Sequence, residues 1–485
     1  MELLSPAGNV EKLRYAYSYG ADAAYIGLKN FSLRVKADNF YEDEYNRVRD
    51  LKKQFPGKAL HCALNISFHN AEIDRLLSEI DYFKQYPIDA FIVQDLGIVP
   101  ILQKNFPDAK LHLSTQASCM NREAVKMYKS LGFSRVVMGR EASLSEIAEI
   151  KDAVPDMEIE CFVHGAMCIA YAGRCLMSAY LNGRSAQSGF CSHTCRWDYD
   201  VLSVQNAKQL AESGELVLRE HKRPDEFFPV YEGENFTAVL SSKDLCMIDH
   251  LAELKKAGVD SLKIEGRMKS VYYVALITRA YRKALDVLDG KLTQSEAKPF
   301  IDELYNVSHR PFTTAFYFDR AKADETASGA SDSPYELAAQ IGCELSSEEV
   351  SEILKKGSEL SQRRKAEYDG LCEKAKAAYD ERVKNIPDKY LPPVEEKAGW
   401  KMYELMALNM INAESVLQIV SPDVVGEDFP KEKFLLINPL TGEIYRWVCD
   451  GHKCVIYTGE KLCDGDLLRS KDKDYMEGKF RDSGR

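Results

Sequence analysis

The chain has 485 residues, enough for about three ordinary domains or one large barrel with additions. Apolar residues make up 45 % and charged residues 29 %, a globular balance that excludes wholesale disorder and a low-complexity scaffold. The 64 Lys and Arg against 75 Asp and Glu give a formal charge of −11, which excludes a generally basic nucleic-acid coat and leaves room for a local basic groove.

Met1 runs into Glu2-Leu3-Leu4 without the basic and apolar regions of a secretion signal. No run of ~18 uncharged apolar residues follows, so a cytoplasmic protein without a membrane span is expected. Thirteen cysteines, an odd number in a chain without a signal, point to free, metal-bound or catalytic thiols rather than a disulfide framework.

Eight short apolar runs, at 2–5, 23–28, 61–66, 90–94, 111–115, 135–139, 158–164 and 262–265, alternate with amphipathic stretches such as 10–19, 71–82, 121–131 and 145–153. The alternation predicts parallel strands with crossover helices, and eight of them predict an α/β fold, a TIM-like (β/α)8 barrel over 1–317. An open doubly wound sheet is the alternative. The spacing breaks once, between the seventh and eighth strands, where roughly a hundred residues replace a crossover of ordinary length. This cysteine-bearing insertion, 165–240, sits where barrels usually add function.

Past an apolar-periodic helix at 271–288, a small and polar stretch predicts a linker over 318–345. Ser346-Ser347-Glu348-Glu349 reads as a capping box that opens an inserted helical region, 346–398, interrupted at Gly357 and Gly370. From 399 to 485, strand-like runs separated by Thr441-Gly442, Asp450-Gly451 and Asp464-Gly465 predict a small β-sheet or barrel domain.

Four thiols crowd the insertion with the spacing Cys168-x6-Cys175, then fifteen residues, then Cys191-x3-Cys195. Four thiolates suit an iron–sulfur cluster or zinc, and the spacing alone leaves the metal open. Four buried, unliganded cysteines are the bland alternative. Cys161 lies within its strand and reads as core, as do Cys62, Cys246 and Cys372 on apolar faces. Cys343, Cys449, Cys454 and Cys463 also read as structural, and Cys119 follows a strand end.

Strand alternation gathers polar side chains at the catalytic end of such a barrel. Glu160 and His164 are expected to share a face of the seventh strand, Lys263, Glu265 and Arg267 one of the eighth, and His112, Ser114 and Gln116 one of the fifth. Arg140 and Glu141 close the sixth, and Asn65 ends the third. His164, Glu160, Lys263 and Glu265 are the catalytic candidates; a Lys263–Glu265–Glu160 salt-bridge layer is the competing structural reading. Arg34, Arg140, Arg174, Arg196 and Arg267 are candidates for holding an anionic substrate, because guanidinium forks match carboxylates and phosphates. The basic stretch 263–283, with Tyr272, Tyr273 and Tyr281, offers phosphate contacts and stacking surfaces, or else a tyrosine core stripe.

The run Glu160-Cys161-Phe162-Val163-His164-Gly165-Ala166-Met167-Cys168, followed by Gly173-Arg174-Cys175-Leu176-Met177-Ser178, resembles the signature of the U32 peptidase family, the collagenase-like peptidases. Glu2-Leu3-Leu4-Ser5-Pro6-Ala7-Gly8, Gly20-Ala21-Asp22-Ala23, Ser242-Lys243-Asp244-Leu245 and Leu262-Lys263-Ile264-Glu265-Gly266-Arg267 resemble its other landmarks. Phe31-Ser32-Leu33-Arg34-Val35 and Cys191-x3-Cys195-Arg196-Trp197-Asp198-Tyr199 look most like the family branch that hydroxylates tRNA.

The resemblance implies oxygen-independent formation of 5-hydroxyuridine at the tRNA wobble position, with prephenate as a required metabolite. It also implies a [4Fe-4S] cluster, whose ligands by motif position would be Cys168, Cys175, Cys191 and Cys195. Relatives act on ribosomal RNA or ubiquinone precursors, so another structured RNA and a small anionic metabolite are within the expected partners. The inserted helical region departs from the family's usual small β-barrel tail, which suggests a partner protein or a second copy engaged there. Two competing readings remain: a peptidase, although no H-E-x-x-H, G-x-S-x-G or papain-like cysteine is present, and a non-catalytic RNA-binding or assembly protein in which the cluster is a staple.

Overall fold

In the first unit, over Met1–Ser333, strands and helices alternate as β1 (Glu2–Pro6), α1 (Val10–Ser18), β2 (Ala23–Ile26), α2 (Glu44–Gln54), β3 (Ala59–Leu64), α3 (Asn70–Phe83), β4 (Ala90–Val93), α4 (Val99–Asn105), β5 (Lys110–Leu113), α5 (Arg122–Ser130), β6 (Arg135–Val137), α6 (Leu144–Ala153) and β7 (Glu158–Ala166). The computed structural model describes every residue except 29–30, 33–37, 169, 176–177, 179–190, 192–194, 196–215, 220–226, 234–235, 239–241, 319–332, 383–393, 395, 413–414 and 472–485. Within the insertion, β8 (Leu216–Arg219), β9 (Phe227–Gly233) and β10 (Phe236–Ala238) form a three-stranded antiparallel sheet. The chain returns through β11 (Asp244–Cys246), α7 (Leu251–Lys256), β12 (Ser261–Ile264), α8 (Val271–Leu288), α9 (Gln294–Asp302) and β13 (Phe312–Thr313).

β12 pairs in parallel with both β1 and β7, so the sheet of β1 to β7 and β12 closes on itself. The eight expected strands are all present, and closure excludes the open doubly wound alternative. β11 adds antiparallel to the far end of β7, and β13 pairs with β11.

Local chemistry repeats around the ring. Asp22, Asp89 and Asp260, each just before a strand, accept from the backbone N–H of Leu3, Leu60 and Ile159 on the neighbouring strand, at 2.9, 2.6 and 2.8 Å. Each carboxylate thereby satisfies a donor at the end of the ladder, where no backbone acceptor faces it. Helix starts are fixed by Asn9, Asn121 and Ser270, and by capping boxes at Ser143/Glu146 and Thr293/Glu296.

The second unit, Pro334–Met476, contains β14 (Tyr335–Glu344), α10 (Ser347–Asp369), α11 (Glu373–Arg382), β15 (Lys401–Ala407), β16 (Ile411–Asn412), β17 (Leu417–Val420), β18 (Glu427–Phe429), β19 (Phe434–Ile437), β20 (Trp447–Val448), β21 (Cys454–Thr458) and β22 (Leu467–Lys471). Seven of these strands form one antiparallel sheet, in the order β18-β17-β22-β14-β15-β21-β19. Two expectations are corrected here. The stretch expected as linker, 318–345, contains β14, which lies between β22 and β15 inside that sheet, and its part at 319–332 is outside the described residues. Gly357 does not interrupt the helical region: α10 runs through it from the expected capping box at Ser346/Glu349. The missing side chain lets the helix approach Gly442, whose carbonyl oxygen would sit 2.6 Å from a Cβ at 357.

Candidate functional site at the barrel mouth

The lower half of the barrel, near the strand starts, holds a buried ion-pair layer. Glu160 is fully buried; its Oε1 accepts from Lys263 Nζ at 2.6 Å and its Oε2 from Arg135 Nη1 at 3.0 Å. Arg135 also pairs with Glu2 at 2.5 Å and Glu158 at 2.8 Å. Desolvation pushes the Glu160 carboxyl up, but Lys263 and Arg135 outweigh it and hold it at about 2. Lys263 lies over the rings of Tyr25 and Phe162, and His61 and His112 meet edge to face with centroids 4.8 Å apart. Lys263 and Glu160 thus form the expected salt bridge. Glu265 is not part of the layer.

His164 does not share the surroundings of Glu160. The pairing of β7 with β12 shifts register between Lys263 and Ile264, and beyond that bulge the His164 ring lies against Tyr273, Tyr281 and Phe312, at 6.0, 5.6 and 5.4 Å. Burial keeps it neutral, lowering its pKa to about 3. Its Nδ1 has no hydrogen-bond partner.

The upper end is built from strand termini and the turns that follow them. After β3 and β5, Asn65 Nδ2 and Ser114 Oγ both donate to Gln116 Oε1 at 3.1 Å. After β6, Arg140 lies 3.9 Å above the Phe162 ring, donates to the Ala166 carbonyl at 2.6 Å and pairs with Glu265 at 3.6 Å. After β12, Arg267 is buried, donates to Ser32 Oγ and sits over Tyr25. Its position explains two glycines: a Cβ at Gly27 would overlap Arg267 Nη1, and one at Gly8 would overlap its carbonyl oxygen. Tyr25 and Tyr273 donate to the carbonyls of Ile264 and Glu265, both at 2.9 Å, fixing the turn that carries Arg267.

The loop leaving β7 is docked on this end. The Ala172 N–H donates to Glu141 Oε1 at 2.7 Å, and Arg174 Nε to the Gln116 carbonyl at 2.8 Å. Cys168 is exposed, and Cys175, Cys191 and Cys195 are half-buried. All thirteen thiols are free of disulfides. Cys62, Cys161 and Cys454 are buried, and desolvation pushes each of their thiols up to about 12. The thiols at 168, 175, 191 and 195 lie outside the apolar core, and four thiolates are by their chemistry a donor set of the kind that holds zinc or an iron–sulfur cluster. Cys343, Cys372 and Cys463 are exposed, so a core role for Cys372 is corrected.

Arg140, Arg174, Arg267 and Glu265 are brought to the mouth, whereas Arg34 and Arg196 lie outside the described residues. The basic helix is not a phosphate-binding stripe. Tyr272, Tyr273, Tyr281 and Arg279 are buried, Arg279 and Lys283 lie over the Phe300 ring, and Arg282 pairs with Asp22. Sequence reasoning missed Glu2, Arg135 and His61 as members of the interior layer. The signal was available, because position 135 opens the strand beside β7 and alternates with Val137, which pairs with Glu160. It also missed the Asp244–Arg310 pair, buried at 2.5 Å.

A closed (β/α)8 barrel whose seventh strand delivers a cysteine loop onto the strand ends defines a barrel protein with thiols at its catalytic end. The chain belongs to peptidase family U32, whose family model matches residues 8–327. It is 39 % identical over 341 residues to tRNA hydroxylation protein P of Escherichia coli (strain K12), covering 65 % of this chain and 74 % of that protein. Similarity to tRNA hydroxylation protein P1 of Bacillus subtilis (strain 168) is 38 % over 320 residues, 65 % of this chain and 70 % of the relative. The 23S rRNA 5-hydroxycytidine C2501 synthase of Escherichia coli (strain K12) is 34 % identical over 349 residues, 70 % of this chain and 48 % of the relative. Among the described residues, no helix is long and apolar enough to cross a membrane.

Proposed function

We propose that this chain is an RNA-modifying enzyme that hydroxylates the wobble uridine of tRNA to 5-hydroxyuridine without molecular oxygen, acting in the cytoplasm where that substrate is found. The observation that carries this reading is the docking of the 168–175 cysteine loop onto Gln116 and Glu141, in a family whose relatives bear the names of tRNA and rRNA hydroxylation.

Cys168, Cys175, Cys191 and Cys195 would hold a [4Fe-4S] cluster, which when bound supplies one-electron chemistry. Arg140, Arg174 and Arg267 would hold the carboxylates of a small anionic co-substrate, prephenate being the expected one. Glu265, paired to Arg140, and Glu141 are the carboxylates placed at the mouth to orient that molecule or carry a proton. Glu160 and Lys263 act below them as structural and positioning residues. The peptidase reading gains no support from His164, the histidine of the signature, which faces aromatic rings rather than a hydroxyl or thiol nucleophile.

The test is mass spectrometry of nucleosides from tRNA and ribosomal RNA of a deletion strain, with anaerobic analysis of iron, sulfide and zinc in the purified protein. Loss of 5-hydroxyuridine and its derivatives from tRNA is expected. Unchanged tRNA with depleted 5-hydroxycytidine in ribosomal RNA would move the substrate, and no change in either would end the hydroxylase reading. Stoichiometric zinc without sulfide would remove the cluster.

A further inference from the structure

We infer that the barrel interior contains a second metal site, separate from the cysteine loop, in which His61, His112 and Glu160 bind one divalent transition ion. The three residues come from β3, β5 and β7, three alternate strands that contribute side chains to one layer of the barrel. One ligand atom from each lies within 4.8 Å of the others, and all three residues are buried. Nδ1 of His61 and both ring nitrogens of His112 have no hydrogen-bond partner. Burial lowers the proton affinity of both rings, so they present the neutral form that metals require.

Glu160 is engaged on each oxygen, by Lys263 and by Arg135, yet a carboxylate has about four lone-pair positions, so coordination remains open. Three carboxylates, Glu2, Glu158 and Glu160, surround two cations, Arg135 and Lys263. The charge balance before any ion enters is thus one unit negative. Two imidazoles and one carboxylate form a donor set that selects zinc and its neighbours over calcium or magnesium, with water as the fourth ligand of a tetrahedral ion. Such an ion would tie three non-adjacent strands together and satisfy ring nitrogens that are otherwise buried without partners.

The experiment uses the full-length protein, produced in zinc-supplemented medium, with zinc-edge X-ray absorption as the readout. Zinc at the interior site gives a nitrogen/oxygen shell at ~2.0–2.1 Å with imidazole scattering, whereas zinc on the cysteines gives sulfur at ~2.3 Å. The expected result is an imidazole-containing shell that is lost in His112→Phe, a substitution that keeps apolar volume in the core. Zinc affinity is also expected to tighten about tenfold in Lys263→Met, because a competing cation is removed beside the carboxylate. Sulfur scattering alone, an imidazole signal unchanged by His112→Phe, no bound zinc, or weaker binding in Lys263→Met would each overturn the inference.

Discussion

Gly27 faces the guanidinium of Arg267 so closely that a methyl group at position 27 would overlap Nη1. Gly27→Ala is therefore expected to displace Arg267 from Ser32 and to cost about 1–3 kcal/mol of stability through overpacking. RNA hydroxylation should fall with it. Urea denaturation of Gly27→Ala, Arg267→Ala and the double variant checks the cause. The double variant should be more stable than the sum of the two losses predicts, and strict additivity would show that the two positions do not compete for space.

Arg174 anchors the cysteine loop through one backbone carbonyl, that of Gln116. Arg174→Ala should cost no more than about 1.5 kcal/mol of global stability. The local effect should be larger. In metal-free protein, Cys175 is expected to alkylate severalfold faster in the variant while the melting temperature barely moves. Equal alkylation rates would mean that the loop is held elsewhere.

Buried imidazoles should govern acid stability. Burial lowers His61 to about 4 and His164 to about 3, whereas an unfolded imidazole protonates near ~6.5. As pH falls, the unfolded chain takes up the protons first, so this stabilisation is complete above about pH 6.5 and is lost as pH falls toward the folded-state values. Each ring contributes about 1.4 kcal/mol per pH unit to the slope within that window. His164→Phe should flatten the dependence of unfolding free energy on pH by about that amount between roughly pH 6 and 4.5. An unchanged slope would show that the ring protonates equally in both states.

Glu160→Gln leaves Lys263 and Arg135 facing a neutral amide in the barrel interior. The expected loss is about 3–5 kcal/mol, the usual consequence of breaking a buried pair from one side. Adding Lys263→Met should recover part of it. Chemical denaturation of the single and double variants measures this, and a near-neutral Glu160→Gln would mean that the layer is solvated.

In the second unit, Gly357→Ala should destabilise the contact between α10 and the Thr441-Gly442 turn by about 1–3 kcal/mol. Trp400 and Trp447, two of the three tryptophans, belong to that unit, so fluorescence follows its unfolding. A midpoint identical to that of the parent would mean that the helix shifts to absorb the methyl group.

The barrel was legible because its strands stand out as short buried runs: Ala90–Val93 is apolar throughout, and Ser261–Ile264, although it carries Lys263, is buried along its whole length. The location of Cys168 and Cys175 at the catalytic end followed from strand order. The surroundings of His164 were not legible, because strict alternation cannot foresee a register shift between Lys263 and Ile264. Gly357 misled for a related reason. Its helix propensity is poor, but the close approach to Gly442 that requires it comes from a residue far along the chain. The tyrosines of α8 were more legible: their helical spacing favoured a core stripe over a stacking surface, and Tyr272, Tyr273 and Tyr281 are buried.

The interior ion-pair layer also has a consequence in time. Glu160 precedes its partner Lys263 by 103 positions, and at about 5–20 residues per second a ribosome needs roughly 5–20 s to cover that distance. During that interval Glu160 on β7 can pair with Arg135 of β6 but not with Lys263, and β12, the strand that closes the ring onto β1, has not emerged. A nascent chain that stalls within the insertion therefore holds a half-compensated carboxylate and two open sheet edges, which makes this stretch of synthesis the one most exposed to aggregation and proteolysis.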